Sequence, residues 1–233
     1  LTLFNIGAYK EAIRSLKACV GRNPTYREEL TPTLARCYLY GEKEAATDAL
    51  RMLDKQVEML PAGSKLLDET QWLRAECFLR LGRFDEARKT LKVLEERSPK
   101  NKFNASAQAA ELATRVKLLL AIADVSEAIE RFGKGISEVP VPRPEVAEFL
   151  APSLSVLESL RLDATPEFAN QASLWAARAY GCEGDAESSL SLLAEVRQQQ
   201  PFTGANIAAG IEELEWLAGM GNGEEALQTV RYL

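Results

Sequence analysis

QWLRAECFLRLGRFDEARKTLKVLEERSP, residues 71–99, is one helical hairpin written out in full. In its first half apolar or small residues recur at Leu73, Ala75, Cys77, Phe78 and Leu81, and a short break then carries Gly82. In its second half Phe84, Ala87, Leu91 and Leu94 fall three or four apart, which puts them on one face of a helix. Two short amphipathic helices therefore face each other across a tight turn. Neither buries its stripe alone, so the unit requires neighbours of its own kind.

Those neighbours lie on both sides. Gly7, Tyr9, Ala12, Leu16 and Pro24 reproduce Gly82, Phe84, Ala87, Leu91 and Pro99 at a shift of 75 residues, so residues 1–24 read as the back half of a hairpin whose front is cut away. Next come helices over about 26–40 and 43–60, with a turn at Gly41, a stripe of Ala46, Leu50 and Leu53, and Pro61, Gly63 and Ser64 as breakers. Downstream the spacing predicts helices over 103–122 and 126–138, the latter carrying Ala128 and Phe132 and stopping at Pro140. Helices over 167–181 and 186–199 follow, with Ala177, Tyr180, Gly184, Leu193 and Pro201 in the repeated places. A last pair spans 206–218 and a stretch from Gly223, with Gly221, Ala226 and Val230.

The small residue opening each second helix thus falls at Ala12, Ala46, Ala87, Ala128, Ser189 and Ala226, at spacings of 34, 41, 41, 61 and 37. A period near 34, with a small residue, a large apolar one a turn later and a closing proline, resembles the tetratricopeptide repeat. The resemblance covers nearly the whole chain apart from one insertion. It departs from the family where a tryptophan is usual early in the first helix: Gln71 and Ser173 stand there, with Trp72 and Trp175 displaced in phase.

The insertion fills the gap of 61. In it Val139, Pro140, Val141, Pro142, Arg143 and Pro144 must run extended, because each proline fixes its own φ and disfavours helix in the residue before it. Behind them Val146, Phe149, Leu150, Leu154, Leu157 and Leu160 recur at helical spacing, giving an extra helix with Pro152 in its first turns or at a kink. The Pro-Val-Pro-Arg-Pro run reads as an inter-repeat loop, with a ligand for a proline-reading domain as the alternative. The expected organisation is repeats over 1–138, a proline-rich linker and helix over 139–165, and further repeats over 166–233, truncated at the start of the first and the end of the last. The fold class is all-α: a right-handed α-solenoid of about five to six such hairpins with one inserted helix.

Composition narrows the chemistry. A net charge of −6 without a basic stripe argues against nucleic acid. The sequence holds no histidine, so it offers no imidazole base and no Ser-His or Cys-His pair. Cys19, Cys37, Cys77 and Cys182 form no C-x-x-C pair and read as small apolar core residues, so no metal or other cofactor is expected. Free thiols lean towards a reducing, cytoplasmic setting. No apolar run reaches membrane-spanning length. Gly219, Gly221 and Gly223 lack the lysine and strand of a phosphate loop and read as a turn. Glu212, Glu213 and Glu215 read as a solvated helix face.

What the resemblance implies is a non-catalytic scaffold that holds a peptide or helix of a partner protein in its concave groove. The first helix of each unit lines that groove, which places Thr31 and Ala35, then Trp72, Glu76 and Arg80, then Lys117, then Leu174 and Arg178, then Ile211 and Glu215 there. Trp72 is either an exposed binding aromatic or an ordinary packing residue between first helices. Some family members hold a C-terminal carboxylate with lysine, arginine and asparagine; Thr31, Ala35, Trp72 and Leu73 stand in those places here, which argues against that ligand. Two alternatives stay open: a structural segment that self-associates in a larger assembly, and the regulatory repeat region of a larger enzyme or sensor. The oligomeric state is open as well.

Overall fold

Hydrophobic stripes at helical spacing become helices throughout. The computed structural model describes residues 7–41, 45–62, 64–97, 107–136, 140–199 and 204–230, and among them eleven α-helices and a 3-10 turn at Pro24–Tyr26, with no strand. In chain order the helices are α1 (Tyr9–Arg22), α2 (Arg27–Gly41), α3 (Ala46–Met59), α4 (Lys65–Arg80), α5 (Phe84–Arg97), α6 (Ala107–Phe132), α7 (Pro144–Asp163), α8 (Pro166–Glu183), α9 (Ala186–Gln198), α10 (Gly204–Gly219) and α11 (Gly223–Val230). They form two compact units, Leu1–Leu119 and Leu120–Leu233, and α6 runs through the division.

In the first unit consecutive helices pack on one another from α1 to α5, so α2/α3 and α4/α5 are hairpins and α1 lies against α2. The first helices α2 and α4 also touch. Ala12, Ala46 and Ala87 are buried, and Leu53, Leu91 and Leu94 are fully enclosed. Ser64 caps α4 by accepting from the Leu66 amide (3.2 Å), so the expected breaker also starts the next helix. The Gln56 amide, buried on α3, donates to the Glu28 carbonyl at the start of α2 (2.7 Å).

The second unit repeats this logic with α8/α9 and α10/α11, whose first helices α8 and α10 again touch. Asp185 caps α9 by accepting from the Ser188 amide (3.0 Å). Buried Asn206 ties α10 to the end of α9 by donating to the carbonyls of Val196 (2.6 Å) and Gln199 (2.9 Å). The inserted helix is α7, which lies against α8. Val146, Leu150, Leu157 and Leu160 are its buried face, while Phe149 is exposed under the Arg131 guanidinium (5.9 Å). Pro144 occupies its first turn, where a missing N–H costs nothing, and Pro152 sits inside it.

One expectation is overturned. Residues 107–132 are a single helix of 26 residues, not the end of one helix, a turn and a second helix. No glycine or proline interrupts this stretch, and Ala121, Ile122, Ala123 and Val125, where the turn was placed, are all buried. A turn there would expose backbone groups inside a core, whereas the continuous helix satisfies them. It ends at Gly133, whose amide still donates to the Ile129 carbonyl (2.9 Å) and whose φ of 79° then turns the chain out of the helix. The expected helix starts at Lys43 and Phe103, the closing prolines Pro99 and Pro201, the breaker Gly63 and Val139 of the proline-rich run lie outside the described residues.

Candidate functional site

The first helix of the α4/α5 hairpin carries Trp72, Glu76 and Arg80 one turn apart, so they share a face. Trp72 is 7% exposed and takes the packing role, its indole indented between two cations: the Arg36 guanidinium from α2 lies 5.4 Å from the ring centroid and that of Arg115 from α6 lies 4.5 Å away. Arg36 donates to Glu69 (2.7 Å) and Arg115 to Glu111 (3.0 Å), which fixes both guanidiniums over the ring. Glu76 lies below them with its Oε2 buried and without a hydrogen-bond partner, and the Trp72 Nε1 is in the same condition.

The electrostatics of this cluster follow from burial. Desolvation pushes the Glu76 carboxyl up to about 7, against the pull of Arg115, Arg36 and Arg80. Tyr40, on α2, is 44% exposed as a residue, and its phenol is pushed up to about 12 by desolvation and then by the Glu76 charge. Arg80 is exposed and among the described residues makes no salt bridge; Lys117, on α6, is exposed as well. Ala35 is fully buried and Thr31 half-buried, with its hydroxyl donating to the Arg27 carbonyl (2.7 Å).

In the second unit Leu174 is buried and Ile211 is exposed. Arg178 on α8 stacks on Trp175 (4.1 Å to the centroid) and grips Glu212 of α10 with both faces of its guanidinium fork, Nε lying 2.9 Å from Oε1. Glu215 accepts from Lys134 Nζ (2.7 Å). Arg178 and Glu215 line one cavity of about 30 Å³ with Gly181 and Trp216, enough for a water molecule. Of the three neighbouring acids of α10, expected as a solvated helix face, Glu215 is exposed as expected, whereas Glu212 is half-buried and Glu213 buried. Glu212 pairs with Arg178, Glu213 with Arg197 (2.6 Å) and Glu215 with Lys134, each on a different neighbour.

The Pro-Val-Pro-Arg-Pro run is a packed strap. The Arg143 amide donates to the Glu183 carbonyl (2.7 Å) and its guanidinium to the Phe132 carbonyl (2.7 Å), while Val141 lies against Gly184. Pro140, Pro142 and Pro144 face the opening of α9 across an open groove of about 770 Å³ that also includes Leu190 and Met220. Cys37, Cys77 and Cys182 are buried, and burial pushes the last two thiols up to about 12 and about 11, so they are inert at neutral pH. Cys19, on α1, differs from the expectation: it is exposed. Among the described residues no three metal-ligating side chains are gathered, and no helix is long and apolar enough to cross a membrane.

Arg36, Arg115, Tyr40 and Lys134 belong to these clusters and are not singled out by the sequence. Arg36 and Arg115 stand one and two positions from Ala35 and Lys117, and side chains of a helix lean towards its N-terminus, so matching phase by Cα position alone misses them.

Residues 69–101 match the family model for the tetratricopeptide repeat. The match takes in the last three turns of α4 and all of α5, the hairpin that carries Trp72, Glu76 and Arg80. No curated protein matches the chain.

Proposed function

We propose, starting from the tetratricopeptide repeat formed by residues 69–101, that the chain is a non-catalytic scaffold holding a segment of a partner protein against the first helices of its hairpins. The observation that supports this reading is the contact of α2 with α4 and of α8 with α10, in which the first helices of successive hairpins meet within each unit. A right-handed coil of the hairpins and a concave wall belong to the same reading, with the segment 139–165 separating the repeats on either side. In this reading Arg80 on α4 and Lys117 on α6 present polar surface in the first unit and Arg178, Ile211 and Glu215 present polar and apolar surface in the second, while Trp72, Ala35 and Leu174 support their own unit's surface from beneath. Three buried free thiols support a reducing setting.

Affinity capture with the wild-type chain and with an Arg80→Glu, Lys117→Glu double variant tests this. Both substitutions lie on exposed positions, so circular dichroism is expected to stay unchanged while the captured partner is lost. Recovery of the same partner in the same yield would remove these residues from the interface.

Self-association is the second reading, favoured by Leu227 and Val230, which are 66% and 54% exposed on α11. Light scattering over a hundredfold concentration range separates the two: a constant monomer mass excludes it.

A further inference from the structure

The second unit opens a groove of about 770 Å³ at the turn end of the α8/α9 hairpin, and none of the residues assigned to the first-helix surface lines it. One side is the strap with the start of α7, where Pro140, Pro142, Pro144 and Ala147 stand; the other is the opening of α9 with Ala186 and Leu190. Met220, which follows α10, completes the apolar lining. Drug-sized ligands occupy pockets of about 300 to 1,000 Å³, so this groove takes a few side chains. Its rim is acidic: Glu183, Asp185 and Glu187 line it, and among the described residues none of the three forms an ion pair. Asp185 accepts from the Ser188 amide (3.0 Å) and hydroxyl (2.7 Å). Arg143 is the one cation of the described lining, and its guanidinium is turned to the Phe132 carbonyl (2.7 Å). Burial, and then the Asp185 charge, raise the Glu183 carboxyl above its ordinary value, as befits a carboxylate without a counter-charge. The N-terminus of α9 adds about half a positive charge, which does not offset the carboxylates.

We propose that this groove docks a short basic segment of a partner protein, with large apolar side chains between the strap and α9 and flanking lysines or arginines facing Glu183 and Glu187. The proposal goes beyond the scaffold reading and does not depend on it, because the surface is made by the inserted strap and the α8–α9 turn. Apolar walls call for an apolar occupant, and an acidic rim around them selects its flanks: an apolar centre with a charged rim is the layout of a protein interface. The strap does not extend a sheet, since its prolines carry no N–H and the Val141 carbonyl is packed against Gly184, so side chains and not backbone pairing recognise the segment. A lone metal ion does not fit, because among the described residues no three ligating side chains gather at one point. A nucleic acid or an anionic membrane brings negative charge to a negative rim and is repelled.

The test is fluorescence anisotropy of the full chain with a labelled peptide, Lys-Arg-Leu-Trp-Leu-Arg-Lys. Two companion peptides vary one property each: Glu-Glu-Leu-Trp-Leu-Glu-Glu reverses the charge, and Lys-Arg-Ser-Ser-Ser-Arg-Lys removes the apolar centre. The first peptide is expected to bind, and each companion to bind about tenfold more weakly or worse. A Glu183→Gln, Glu187→Gln double variant is expected to bind the first peptide about tenfold more weakly, as the loss of two partly exposed charge pairs allows. Glu95→Gln with Glu96→Gln, exposed acids of α5 in the other unit, makes the same change of charge and is expected to leave binding within about twofold. Equal weakening in both double variants would show attraction to the net charge of −6 alone and overturn the site. Equal binding of either companion peptide, or no binding of the first, overturns the assigned occupant. Hydrogen exchange of the wild-type chain with the first peptide needs no substitution: slowing is expected over 183–190 and 145–148, and slowing confined elsewhere overturns the site. The same slowing on raising the chain concentration without peptide would give the groove to a second copy and overturn the proposal.

Discussion

The carbonyl oxygen of Val141 occupies the place where a β-carbon of Gly184 would stand. Gly184 is also the left-handed cap of α8, with φ of 86°. One residue therefore ends a helix and receives the proline-rich strap, which is why a run that looks free in the sequence is bound into the second unit. Gly181, a turn earlier, does the same for α10: its absent β-carbon leaves room for the Trp216 ring, which would stand 2.8 Å away.

Gly184→Ala should accordingly combine left-handed strain with displacement of the strap backbone, a loss of about 2 to 4 kcal/mol. Gly221, also left-handed at φ of 78° but open to solvent on its β-carbon side, provides the comparison. Gly221→Ala carries the backbone strain alone, about 1 kcal/mol. Urea denaturation of the two variants measures the difference. Equal losses would show that the strap does not bear on Gly184.

Ser189 holds the position that alanine holds in the other second helices, and its buried hydroxyl has no hydrogen-bond partner. Ser189→Ala removes an unsatisfied polar group and raises helix propensity, so it should stabilise the chain by about 1 kcal/mol. Ser189→Leu should destabilise it by about 1 to 3 kcal/mol by forcing α8 and α9 apart. Thermal melts of both variants check the pair; a destabilised alanine variant would reveal a partner for the hydroxyl.

Arg197 and Glu213 form an ion pair at 2.6 Å with side chains only 13% and 10% exposed, and Thr229 adds a hydroxyl at 3.5 Å from the same carboxylate. Removing one member leaves the other charge buried, so Glu213→Ala should cost about 3 to 5 kcal/mol. Asp48 and Arg51, 57% and 67% exposed, form a comparable contact in solvent, and Asp48→Ala should cost less than about 1 kcal/mol. Chemical denaturation gives both values. A small effect at Glu213 would mean that water reaches the pair.

The hairpin at 71–99 is legible because each level agrees: stripe spacing, Gly82 in the left-handed turn at φ of 69°, and Ala87 fully buried. The stretch 107–132 is misread because a stripe of small and large apolar residues fits both a hairpin and one long buried helix, and only a breaker distinguishes them. No breaker is there. Site residues are harder for a different reason. The sequence marks which helix face Trp72 and Glu76 occupy, but Arg36 and Arg115 come to them from helices 36 and 39 residues away in the chain. Likewise the acids at Glu212, Glu213 and Glu215 look alike in sequence and differ only in the neighbour each meets.

Glu76 gives the last prediction, and its sign follows from its folded value lying above its unfolded one. Between 4.5, the ordinary value, and about 7, the folded chain keeps a proton that the unfolded chain has released. Stability must therefore fall as pH rises through this window, with a slope of at most about 1.4 kcal/mol per pH unit from this one group. Below the window both states are protonated and above it both are ionised, so the contribution is flat on either side. Other carboxylates titrate too, but Glu76→Gln isolates this one: the stability of the variant minus that of the wild type should be constant below pH 4.5, climb to about pH 7 and then level off. Urea titrations at half-unit pH intervals trace that difference. A difference that fell with rising pH would mean that Arg36, Arg80 and Arg115 outweigh burial and hold Glu76 ionised.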